Sequence, residues 1–202
     1  MFNKSSGKTF LPLLALLSFS SLSMSGEVVQ SQGVDKVAKL PYWQIKTRGM
    51  SLRLVQRLPD QSRAFYMARG FSEQHAEIIA QSCVFQTVFR NITSDKNASP
   101  VNYNLRKWVV VFKGQKQGMK VREDWKKEWQ KRKVSMASQI AFEWGLFPTK
   151  QVYEAGDYNW GISIFDLKPG SQFDLKVSWT QFGKNYQSWI KNIKCAADIH
   201  PE

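Results

Sequence analysis

Residues 83–92, CVFQTVFRNI, decide the fold class. The run is β-branched and aromatic, as strands are. Alternation puts Cys83, Phe85, Thr87 and Phe89 on one side, and Val84, Val88 and then Arg90 on the other. Both sides are largely apolar, so this strand is expected to be central in its sheet.

Working outward, Leu105–Lys113 (LRKWVVVFK) reads as a second strong strand, broken by Gly114 and Gly118. Towards the C-terminus Tyr158–Asp166 is a strand, and Leu167-Lys168-Pro169-Gly170 is a turn in the type II order. Gln172–Trp179 alternates cleanly, with Phe173, Leu175, Val177 and Trp179 inward. A turn through Gly183 leads to a last strand, Tyr186–Cys195. Three strands joined by short turns predict an antiparallel meander. Ser51–Val55 alternates briefly and is a further candidate strand.

Helical signals stand between the strands. Asp60 is a candidate N-cap for Asp60–Arg69, which Gly70 would end. Ser72 would cap a second helix, Glu73–Gln81, with Phe71 just outside it. Leu54, Phe65, Met67, Ile78 and Ile79 are the candidates for the buried side of this hairpin. Val121–Phe147 reads as the longest helix, stopped by Pro148. Trp125, Trp129, Met136, Ile140 and Trp144 share one side of its wheel, as an amphipathic helix requires. Arg132 and Lys133 fall in the same sector, so the helix bends there or those stems lie along the apolar surface with their charges in water.

The expected fold is therefore α+β. It is a mostly antiparallel sheet or small β-sandwich, compatible with an immunoglobulin-like arrangement, carrying a helical hairpin and one long amphipathic helix. Residues 40–202 form one globular domain in this reading. Residues 27–39 are polar with scattered Val and read as a flexible tail.

Residues 1–26 read as a secretory signal peptide. Lys4 and Lys8 form a charged start, Phe10–Phe19 is a short apolar run, and Ser23 and Ser25 supply small residues before a cut near Gly26. The run is well short of the ~20 residues that cross a bilayer, and no second long apolar run follows. The mature chain is thus expected to lack a transmembrane segment, in the periplasm or outside the cell. In an oxidising compartment Cys83 and Cys195 are expected to pair.

The 202 residues carry a formal net charge of +13, and Lys4 and Lys8 account for only two of those charges. A basic exported protein meets anionic proteins, envelope polymers and lipid headgroups. Nucleic acid, the usual partner of such charge, is not expected after export.

The chain holds no HExxH, GxSxG, Walker loop or GxGxxG after a strand. Its two histidines are His75, in the first turn of a helix, and His200, near the chain end. Glu154 and Asp157 precede Tyr158-Asn159-Trp160, and such a carboxylate pair beside aromatics could serve a small hydrolase of an envelope polymer. Scattered methionines, Met50, Met67, Met119 and Met136, suit core gaps better than a metal site. A metal or redox accessory role would need Cys83 and Cys195 as free thiols. No cofactor is expected.

One stretch carries functional content. Between Arg106 and Lys133 eleven Lys and Arg face only Glu123, Asp124 and Glu128, with tryptophans interleaved. Cations beside aromatics suit an anionic polymer, a sugar or a lipid interface. The leading expectation is a non-enzymatic exported protein that docks an anionic protein, polymer or lipid surface. Arg106, Lys107, Lys126, Lys127, Lys131, Arg132 and Lys133 would supply charge, and Trp125 and Trp129 contact area if they are exposed. A helix whose tryptophans cover the sheet, with Glu123–Lys127 and Glu128–Arg132 paired at i,i+4, would account for the same residues.

Overall fold

The computed structural model describes residues 28–94 and 99–199. The stretch read as a signal peptide, residues 1–26, and His200 lie outside the described residues. The protein is α+β, with two antiparallel sheets facing each other and helices on the outer side of one of them.

The first sheet has the order β1-β2-β3-β4-β9, formed by Val29–Val34, Pro41–Lys46, Met50–Gln56, Cys83–Asn91 and Tyr158–Phe165. Four consecutive strands lie side by side, an up-and-down order rather than the Greek key of immunoglobulin domains. The opening run of the sequence analysis is β4, between β3 and β9 as its two apolar sides require. Cys83, Phe85 and Phe89 face the second sheet, and Val84 faces the helices.

The second sheet centres on β10, Gln172–Gln181. One side of β10 pairs with β11, Lys184–Lys194, and the other with β5, Val101–Asn104, and then β6, Val109–Phe112. The edges are β7, Gln115–Gly118, on β6, and β8, Lys150–Tyr153, on β5. The strand expected at 105–113 is therefore shorter and starts later. A 3-10 turn at Leu105–Lys107 separates β5 from β6, because the Asn104 side chain accepts from Arg106 N–H and draws the backbone out of the ladder.

The expected three-stranded meander is corrected. Strands β10 and β11 form a hairpin, but β9 belongs to the other sheet. The Pro169-Gly170 turn carries the chain across the sandwich, so Phe165 meets Phe173 across the interior with ring centroids 4.8 Å apart. Nothing in the period of either strand separates a turn within a sheet from one between sheets.

The tail reading is corrected as well: Val29–Val34 is an edge strand paired with β2. All six of its residues are exposed, so it adds backbone hydrogen bonds and no apolar pattern to read. The Gln30 side chain exchanges two hydrogen bonds with the backbone of Lys191 on β11, closing the sandwich at that edge.

Cys83 and Cys195 form the expected disulfide, Cα–Cα 5.2 Å, joining the start of β4 to the residue after β11 and so one sheet to the other. The helical hairpin is α1, Pro59–Met67, and α2, Glu73–Ala80. α1 starts one residue before the expected helix. Pro59 takes the first helical position, where its missing N–H costs nothing. Leu58 is the cap residue, and Asp60 binds Arg63 instead of capping. Ser72 caps α2 as expected, its Oγ accepting from His75 N–H. Gly70, between them, sits at φ +80. Of the residues assigned to the buried side of the hairpin, Ile79 is buried there, Phe65 and Ile78 are half-buried against the same cluster, Leu54 points into the sandwich and Met67 is exposed.

The single long helix is the largest correction. It is two helices, α3, Arg122–Lys131, and α4, Met136–Gly145.

Candidate functional site

The basic face is built on α3. Val121 precedes it, and Val121 N–H donates to Asp124 Oδ2 at 3.1 Å. Glu123 and Asp124 lie in the first turn, where negative charge suits the helix dipole. Trp125 and Trp129, four apart, stack at 5.2 Å on the inner side. They close a helix-side core with Tyr66, Phe71, Phe142 and the outer side of the first sheet, through Val84, Ile162 and Ile164. Trp125 is 3% and Trp129 0% exposed. Neither ring can supply contact area to a partner, and that part of the sequence expectation is withdrawn. Lys120 lies over the Trp125 ring, 3.7 Å from its centroid.

α3 ends in a Schellman motif. Val134 N–H donates to Trp129 O and Lys133 N–H to Gln130 O. Lys133 holds the left-handed position, φ 56, that glycine usually takes. Val134 then tucks into the core. Ser135 starts α4, accepting from Ser138 N–H, and Ser138 Oγ donates to the Gly70 carbonyl, fixing α4 against the hairpin. Both sequence alternatives at 132–133 are partly met: the chain turns there, and Arg132 and Lys133 project to solvent.

The outward cations fall into two groups. Arg106 bridges Glu123 at 3.3 Å and Asp124 at 3.2 Å, Lys126 reaches Glu143 at 4.0 Å, and Arg132 binds Glu128 at 2.6 Å. The Arg132 hydrogen bond holds the Glu128 carboxyl below its ordinary range. Burial works to raise Asp124, but the Val121 N–H and Arg106 outweigh it and leave that carboxyl lowered too. Lys107, Lys127, Lys131 and Lys133 are exposed and make no ion pair within 4.0 Å among the described residues. All three acids of the segment are thus occupied locally, and the four lysines remain for solvent or a partner.

The other candidates are placed as follows. His75 Nδ1 lies 3.1 Å from Ser72 Oγ, a contact between neighbours in the first turn of α2. Glu154 and Asp157 sit exposed in the turn between β8 and β9, with Asp157 Oδ2 accepting from Glu154 N–H. A depression of about 40 Å³ is elsewhere, lined by Asn102, Asn104, Lys107, Ser178, Thr180 and Asn185, and is of water size. Both cysteines are in the disulfide, so neither is a thiol. Met50 and Met119 are buried, as gap-filling methionines should be, whereas Met67 and Met136 are exposed.

Sequence reading missed the outer side of α4. Met136, Ala137, Ile140 and Trp144 all face solvent, with Trp144 86% exposed. The wheel drawn through an unbroken helix placed Met136, Ile140 and Trp144 with Trp125 and Trp129 on one side. The available signal was Ser135, an N-cap type ahead of the apolar residues.

Fold and surface together define a disulfide-tied, helix-flanked β-sandwich with a basic helical face. No family model, curated protein or solved structure matches this chain.

Proposed function

We propose that this protein is exported and acts as a non-enzymatic binding or accessory protein, docking an anionic partner through α3 and the turn that follows it. The observation that carries the reading is the set of outward cations left over after local pairing. Among the described residues Lys127, Lys131 and Lys133 are exposed and make no ion pair within 4.0 Å, and the partly neutralised Lys126 and Arg132 stand beside them in the chain. Export is supported by the disulfide and by the start of the sequence. No helix among the described residues is long and apolar enough to cross a membrane.

The test is charge reversal at exposed positions. Lys126→Glu, Lys127→Glu and Lys131→Glu together are expected to move elution from an anionic matrix to clearly lower salt and to flatten the salt dependence of binding. All three side chains are exposed, so the melting temperature should fall by no more than a few degrees, chiefly through the lost Lys126–Glu143 pair. Unchanged retention would remove this surface from the reading.

A further inference from the structure

α4 presents an outward side of unusual composition for a water-facing helix. Met136, Ala137, Ile140 and Trp144 are exposed, Ala141 is half-exposed, and no polar group interrupts them along nearly three turns. The only acid of the helix is Glu143, which faces Lys126 of α3 at 4.0 Å. At its N-terminal end the stripe meets the turn carrying Lys131, Arg132 and Lys133. At the other end Leu146 bridges to Ile162 of β9, and Trp160, two residues earlier on the same side of the sheet, is again exposed at 57%.

We infer that the α4 stripe and the α3 cations form one membrane-contact face, which seats the protein on an anionic lipid surface. This rests on the proposed docking role and names its partner. Charge complementarity selects the occupant: the rim of the stripe is cationic, and its one carboxylate is matched by a lysine. The chemistry of the stripe narrows it further. Among the described residues this convex helix offers a protein partner no pocket, and its outward stripe carries one side-chain hydrogen-bond donor, the Trp144 indole N–H, and no acceptor to set an orientation. A bilayer interface needs neither. It takes an apolar ridge a few ångströms deep, favours tryptophan at the headgroup level, and attracts flanking lysines. Trp144 and Trp160 would sit at that level, Met136 and Ile140 would reach the acyl boundary, and the lysine ammoniums would stay among the phosphates.

The experiment uses the disulfide-bonded chain recovered from an exporting host and two probes: vesicles of phosphatidylglycerol and phosphatidylcholine, or of phosphatidylcholine alone, and the soluble polyanion dextran sulfate. The protein is expected to co-sediment with the anionic vesicles and to bind the neutral ones at least about tenfold more weakly, since each lysine near an anionic surface contributes roughly fivefold. Ile140→Gln and Trp144→Ala, which leave the charge unchanged, should each lower vesicle binding about tenfold and leave dextran sulfate binding unchanged. Both side chains are exposed, and an unchanged thermal melt confirms that the fold survives. Wild-type vesicle affinity in both variants overturns the inference. So does retention on dextran sulfate without vesicle binding, an outcome that leaves the basic docking face standing. Loss of both kinds of binding in the unmodified protein removes the docking face itself. A concentration-dependent dimer abolished by Ile140→Gln would assign the stripe to a second copy of the chain and also overturn it.

Discussion

Arg63 shows how much one residue can gather. Its guanidinium binds Glu77 at 2.6 Å, Asp198 at 2.6 Å and Asp60 at 2.7 Å, tying α1 to α2 and to the segment after β11. Asp198 is 8% exposed at its side chain, so Arg63→Ala would leave a nearly buried carboxylate without this cation. The expected loss is about 1–3 kcal/mol, reduced from that of a fully buried pair because Glu77 and Asp60 are partly in water. The Arg63 hydrogen bond holds the Glu77 carboxyl below its ordinary 4.5. A lowered folded-state value means that this contribution is complete above pH ~4.5 and disappears as pH falls through the folded value. Wild type should therefore lose stability on acidification below that point more steeply than Arg63→Ala, and urea melts across that window measure it. At this scale the cap at Ser72 and the cysteine pair were readable, because each follows from local chemistry or elimination. The Glu77 and Asp198 partners of Arg63 were not, since they reach it only through the packing of separate elements.

At the scale of elements, the turn at Lys133 governs the surface. A non-glycine residue in the left-handed region costs roughly 1 kcal/mol. Lys133→Gly is expected to raise stability by about that amount in thermal melts while removing one cation from the docking face. A drop in stability would mean that the Lys133 stem contributes more than its strain. The same position explains why the long helix was misread: a glycine at 133 would have announced the end of α3. With lysine there, the apolar spacing of Trp125, Trp129, Met136, Ile140 and Trp144 runs through the break without a visible fault. The period was read correctly within each helix. The change of direction between them swung the second half outward.

For the whole molecule, the disulfide and one close approach hold the layers in place. Cys83 and Cys195 are 112 residues apart, and the chain-entropy estimate for such a loop is about 4.7 kcal/mol at most. Replacing both cysteines by alanine, or reducing the protein, should lower its unfolding free energy by roughly 2–4 kcal/mol in denaturant titration. A loss near zero would mean that packing between the sheets already fixes their arrangement. At Gly161 of β9 a Cβ would stand 2.5 Å from the backbone nitrogen of Phe147, so the chain leaving α4 runs directly against the strand. That contact adds to the packing of Trp125, Trp129 and Phe142 on Val84, Ile162 and Ile164 in joining the helical layer to the sandwich.

The sequence by itself determined the α+β class, the strands built on dense or alternating apolar residues, the helical hairpin and the cysteine pair. Each of these is written in a short window, through side-chain period, capping residues or the simple count of two thiols. The tertiary structure decided which sheet each strand joins, that a polar edge strand exists at 29–34, and that Trp125 and Trp129 are buried while Met136, Ile140 and Trp144 are not. Those outcomes depend on which surface lies opposite after the chain has turned. A turn such as Pro169-Gly170 or the one at Lys133 fixes that by its direction, and direction leaves no mark in the periodicity of the residues on either side.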